Sequence, residues 1–171
     1  MDPESFAPFG ALRVLLGNDV RFVVIGGIAG QLHGSTSMTF DIDVCYERSR
    51  DNAERMAVAL KEMNARPRGF PDDLVFVLDA DTIRLGDSFT FVTDHGEVDC
   101  LGTPSGTMGF DELERNAVTM DVGGLRLPVC SLNDLMRMKR AAGRPKDRIE
   151  LEILGALRDE IEEAESERRP R

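Results

Sequence analysis

The segment RFVVIGG, residues 21–27, narrows what this chain can fold into more than any other stretch of it. A short, β-branched apolar run reads as a strand buried within a sheet. The two glycines that end it supply the backbone freedom of a tight turn. A short helix is predicted next, from Ile28 to about His33. After the polar loop GSTSMT the segment FDIDVCY alternates as a second strand, and Asp51 to Met63 has helical periodicity. Preceded by a first helix over about Glu4 to Leu16, the order is α, β, α, β, α.

The rest of the chain continues the same mixture. Strands are predicted around Val75, Ile83, Phe89 and Val98, with a turn at Asp94-His95-Gly96. A helix over Phe110 to Asn116 and a hairpin through Asp121 to Gly124 follow, and Ser131 is placed to cap a helix running to about Ala142. Gly143 and Pro145 interrupt that helix. A last helix starts at Lys146 and passes into a charged tail, residues 159–171, predicted to be disordered. The fold class is therefore α/β (α+β) with a mixed sheet, in one domain over residues 1–158.

Composition sets limits on function. No apolar run approaches the roughly 20 residues that cross a bilayer, and the start, MDPESFAPFG, lacks the features of a signal peptide, so a cytoplasmic protein without a membrane partner is expected. Cys45, Cys100 and Cys130 lie far apart in apolar surroundings, which fits reduced thiols rather than a disulfide framework. A formal charge of −10 opposes nonspecific binding to long nucleic acid. Residues 137–148, RMKRAAGRPKDR, nonetheless carry six basic residues against one acid, so a local phosphate site survives the overall sign.

The chemistry-bearing residues cluster around the first two strands. Residues two apart on a strand share a face, so Asp41 and Asp43 present adjacent carboxylates while Ile42 and Val44 face the core. Such a pair suits magnesium, a hard ion that takes a few carboxylates together with substrate phosphates. By itself the spacing is weak, since acidic pairs of this kind arise by chance in an acidic chain; Asp79 and Asp81 form another. Upstream, Gly26 and Gly27 open a helix where a phosphate can approach backbone amides, although a plain tight turn would use the same glycines.

Together, VVIGGIAGQLHGSTSMTFDIDV resembles the signature of the nucleotidyltransferase superfamily that shares the polymerase-beta-like palm: apolar residues, Gly-Gly, a short helix, then Asp-x-Asp. The stretch SLNDLMRMKRAAGRPKDRIELEIL is similar to that of the AbiEii-type and mycobacterial MenT-type toxins within it. The similarity covers roughly residues 21–154. It implies a mixed sheet flanked by helices, transfer of a nucleoside monophosphate from a nucleoside triphosphate, two Mg2+ ions, and a third carboxylate on a nearby strand. Asp99 in GEVDCLG is favoured for that carboxylate, with Glu97 on the same face as the competitor.

The resemblance further implies catalytic work for Lys139 beside the three acids and nucleotide contacts from Lys146 and Asp147, while Gly26 and Gly27, as a phosphate cradle, and Arg144, as a bidentate fork, are candidate nucleotide contacts on their own chemistry. The three basic residues could equally form a solvated helix end, and Asp147 could cap the last helix. Where this superfamily often has a basic residue before the paired acids, this chain has Ser35-Thr36-Ser37-Met38-Thr39, leaving the hydroxyls of Ser35 and Thr39 as phosphate donors. His33, alone at a helix end, is assigned a structural role. The expected acceptor is RNA, most concretely a tRNA end, with an antitoxin protein as partner. The alternatives are a protein or an aminoglycoside-like small molecule as acceptor, or a silent nucleotide-binding module.

Overall fold

The computed structural model describes residues 8–71 and 74–168. Helix α1 (Pro8–Gly17) precedes strand β1 (Phe22–Ile25), helix α2 (Gly26–Leu32), strand β2 (Asp41–Tyr46) and helix α3 (Arg50–Glu62). The segment Glu4 to Ala7 of the first predicted helix lies outside the described residues. Strand β3 (Arg66–Pro67), helix α4 (Ala80–Leu85) and the hairpin of β4 (Ser88–Thr93) and β5 (Gly96–Leu101) form the middle of the chain. Helix α5 (Phe110–Asn116), the hairpin of β6 (Val118–Val122) and β7 (Leu125–Val129), and helices α6 (Leu132–Ala142) and α7 (Pro145–Arg168) complete it.

Seven strands make one mixed sheet in the order β3-β4-β5-β2-β1-β7-β6. Strand β1 is antiparallel to β2 and parallel to β7, while β2 is parallel to β5. All four residues of β1 are buried, which explains its unbroken apolar run near the sheet centre. The core continues through Ile42 and Val44 of β2, Val98 and Cys100 of β5, and Met56 and Leu60 of α3. All three cysteines are free and buried. Among the described residues no helix is long and apolar enough to cross a membrane.

Three predicted elements differ from the structure. Ile83 lies on a helix rather than a strand, because the Asp79 carboxylate accepts from the Thr82 amide at 2.8 Å and caps α4. Val75 belongs to an irregular exposed stretch, 89% accessible. The charged segment from Asp159 to Arg168, expected to be disordered, continues α7. The last three residues lie outside the described part. By contrast, Ser131 caps α6 by accepting from the Asp134 amide at 3.1 Å, and Gly143 ends that helix in the left-handed conformation, φ 64°.

Candidate active site

Strand register assembles the acids. Asp43 lies opposite Asp99 across the parallel β2–β5 pair, and Asp41, two residues before Asp43, shares their face. Carboxylate oxygens of Asp41, Asp43 and Asp99 all fall within 4.8 Å of one another. Glu97 pairs in register with Asp41, but its carboxylate takes an ion pair from Arg68 at 2.8 Å. Of the two acids on β5, Asp99 therefore completes the cluster.

The paired glycines make room for this cluster. Gly26 has φ +66°, and a Cβ there would sit 1.9 Å from Asp43 Oδ2. A Cβ on Gly27 would collide with the Thr39 side chain at 2.5 Å. The Gly27 amide donates to the Asp43 carboxylate, and the Thr39 hydroxyl donates to Asp41 Oδ1. The glycines are already in the first turn of α2, two residues earlier than predicted, and the space left by their missing side chains is filled by protein groups that orient the acids.

Crowding three carboxylates has an electrostatic cost. Burial first, then repulsion from Asp41 and Asp99, pushes the Asp43 carboxyl up to about 6, against the pull of Lys139 and the Gly27 amide. Burial also raises Asp99, partly offset by a hydrogen bond from Thr90. Asp99 Oδ1 is buried with no hydrogen-bond partner. An acceptor in that state, facing two further carboxylates, is stabilised by a cation, and an all-oxygen donor set suits a hard divalent ion such as Mg2+.

A cleft of about 280 Å³ opens over the triad and unites Gly27, Thr39, Lys139, Arg144 and Lys146 with the three acids. A second cleft, about 340 Å³, reaches Asp43, Asp99, Lys139 and Arg144 past Gly26, between Leu101 and Met138. Lys139 is buried rather than a solvated helix end: its ammonium lies 2.5 Å from Glu150 Oε2 and 3.6 Å from Asp147 Oδ1. Asp147 is fully buried, and its Oδ2 accepts from the Arg144 amide at 3.1 Å and from Arg144 Nε at 2.8 Å. It thus reaches back from the third position of α7 to the amide of the residue before Pro145, the returning half of a capping box.

Two predicted contacts stand apart from the cleft. Asp147 serves the Lys139 and Arg144 side chains from behind, and Ser35 is buried with its amide on Gly30 O at 2.8 Å and its hydroxyl accepting from the Ser37 amide. His33 Nε2 contacts Cys130 O at 2.8 Å, which fixes it structurally. Glu150, not among the site residues expected from sequence, lines the cleft and holds Lys139. Its signal was the spacing of three from Asp147 on a helix, which puts both acids on one face.

No protein-family profile and no curated protein matches the chain. Solved structures do. The lincosamide antibiotic adenylyltransferase LnuA, lincomycin-bound, superposes with a TM-score of 0.59 at 11% identity, over 87% of this chain and 94% of that one. A Thermotoga maritima protein described as a nucleotidyltransferase gives 0.53 at 17% identity, over 95% and 99%. The antibiotic-resistance factor ANT(2'')-Ia gives 0.54 at 12% identity, over 92% and 90%. At these identities the likeness is one of fold: the chain has the mixed-sheet architecture of nucleotidyltransferases.

Proposed function

We propose that this protein is a divalent-metal-dependent nucleotidyltransferase, moving a nucleoside monophosphate from a nucleoside triphosphate to an acceptor hydroxyl. The observation that carries the reading is the convergence of Asp41, Asp43 and Asp99, with a buried, unpartnered Asp99 oxygen, at the meeting point of two clefts. These three residues would hold Mg2+, with two ions expected. When bound, the metal supplies positive charge against the attacking oxygen and the leaving pyrophosphate of an in-line displacement.

The remaining residues position and neutralise. Thr39 fixes the Asp41 carboxylate, and the Gly27 amide fixes that of Asp43. Lys139, clamped by Glu150 and Asp147, keeps its ammonium at the edge of the acids, where it meets a triphosphate oxygen. Arg144 and Lys146 line the same cleft and take the outer phosphates, Arg144 as a fork and Lys146 as a point charge. Asp147 acts through its hold on Lys139 and Arg144. The reaction belongs to the cytoplasm, where the triphosphates are.

Two acceptors compete. The likeness of residues 131–154 to the AbiEii-type and MenT-type toxins, and the basic strip there, support a tRNA end, with an antitoxin protein as partner. A small hydroxyl compound is supported by the neighbours, one solved with lincomycin and one with adenylyl-2''-tobramycin, and by the chain's charge of −10. Incubation with each α-labelled triphosphate, Mg2+, and either total RNA or lincosamide and aminoglycoside acceptors separates them. Label in RNA supports the toxin reading, and label in a compound supports the second. Triphosphate binding without transfer to any acceptor would favour a silent module.

A further inference from the structure

The cleft over the triad is lined almost wholly by polar groups and glycine; its two large apolar residues are Met38 and Ile149. Both are open, Met38 at 80% and Ile149 at 66% accessible, and neither packs against the core. They come from different elements, Met38 from the loop before β2 and Ile149 from α7. Each is tied to the polar machinery. Met38 adjoins Thr39, whose hydroxyl holds Asp41, and Ile149 lies three residues after Lys146, one turn along the same helix face. Apolar side chains left in water beside a charged floor mark the part of a ligand that carries no charge.

We infer that Met38 and Ile149 form the nucleobase seat of the site, holding the base by apolar contact while Lys146, Lys139 and the triad take the phosphates. The inference rests on the nucleotidyltransferase reading and adds which part of the triphosphate substrate goes where. The thioether of a methionine makes favourable contact with an aromatic ring, and the ring buries the otherwise exposed isoleucine. The Ser37 amide donates to Ser35 Oγ and is spent within the loop, and its carbonyl accepts from Gln31 Nε2. Recognition by apolar area favours the larger purine ring, so ATP and GTP bind a few-fold tighter than CTP and UTP.

The test is calorimetric titration of the full chain in Mg2+ with each triphosphate and, separately, with inorganic tripolyphosphate, which has the charge but no base. Wild type should bind ATP at least about tenfold tighter than tripolyphosphate. Met38→Ala and Ile149→Ala should each weaken ATP about three- to tenfold and leave tripolyphosphate unchanged. Both residues lie outside the core, so melting temperatures without ligand should match wild type and exclude misfolding. Equal affinity for ATP and tripolyphosphate in wild type, or an equal loss for both ligands in the variants, would overturn the seat while leaving the phosphate site standing. Failure of both ligands to bind in Mg2+ would instead remove the nucleotidyltransferase reading, and the seat with it.

Discussion

Replacing Asp43 by asparagine should make the metal-free protein more stable while removing its function. The Asp43 carboxyl is raised from its ordinary 3.8 to about 6 by burial and by its two acidic neighbours. A group whose folded-state value is raised favours the fold fully below the unfolded value and loses that contribution as pH climbs through the folded one. Here that window runs from about 4 to about 6. At 1.36 kcal/mol per unit, the ionised carboxylate costs up to about 3 kcal/mol at neutral pH. The side chain is half-buried and water screens part of this, so about 1–3 kcal/mol is expected. Asparagine keeps the shape and can still accept from the Gly27 amide, so it should recover that amount. For a chain of this size it corresponds to a melting temperature higher by roughly 2–12 °C. Urea denaturation of both proteins in EDTA, at about pH 7.5 and about pH 4, reads the difference directly. The advantage of the variant should be present at the higher pH and shrink at the lower. A variant less stable than wild type at neutral pH, or an advantage equal at both pH values, would refute the repulsion argument.

Three further outcomes follow from the same geometry. Asp41→Asn and Asp99→Asn should lose the stabilisation that saturating Mg2+ and a triphosphate give wild type, about 2.7 kcal/mol at 100 times the dissociation constant, as read by thermal melting. Lys139→Ala should destabilise by about 3–5 kcal/mol, because it strips a buried cation from Glu150 and the fully buried Asp147, whereas Lys146→Ala should leave stability within about 0.5 kcal/mol and raise the Michaelis constant for the triphosphate. Gly26→Ala should cost about 1–2 kcal/mol for its left-handed backbone and also abolish Mg2+ stabilisation, since the new methyl would displace the Asp43 carboxylate.

What the sequence disclosed and what it withheld divide along physical lines. The pairing of an apolar strand, two glycines and Asp-x-Asp is local, and alternation alone was enough to put Asp41 and Asp43 on one face. Choosing Asp99 over Glu97 needed the neighbouring strand, because the two share a face and differ only in the partner each meets: Arg68 claims Glu97 and nothing claims Asp99 Oδ1. The clearance that the glycines give Asp43 and Thr39 spans 17 and 12 residues of chain and leaves no mark in local pattern. Asp79 shows the opposite error of pattern: it matches the acidic spacing of the site and only caps α4. The burial of Lys139 was invisible for the same reason, since the acids that hold it come from the next helix.

The central claim is that Asp41, Asp43 and Asp99 hold a divalent ion in the presence of nucleotide, and anomalous scattering from Mn2+ tests it most directly. In crystals grown with Mn2+ and a non-hydrolysable triphosphate, the account predicts a strong anomalous peak ligated at about 2.1–2.2 Å by an oxygen from each of the three carboxylates and by the phosphates. A peak elsewhere on the chain, or none at the triad at saturating Mn2+, would contradict it.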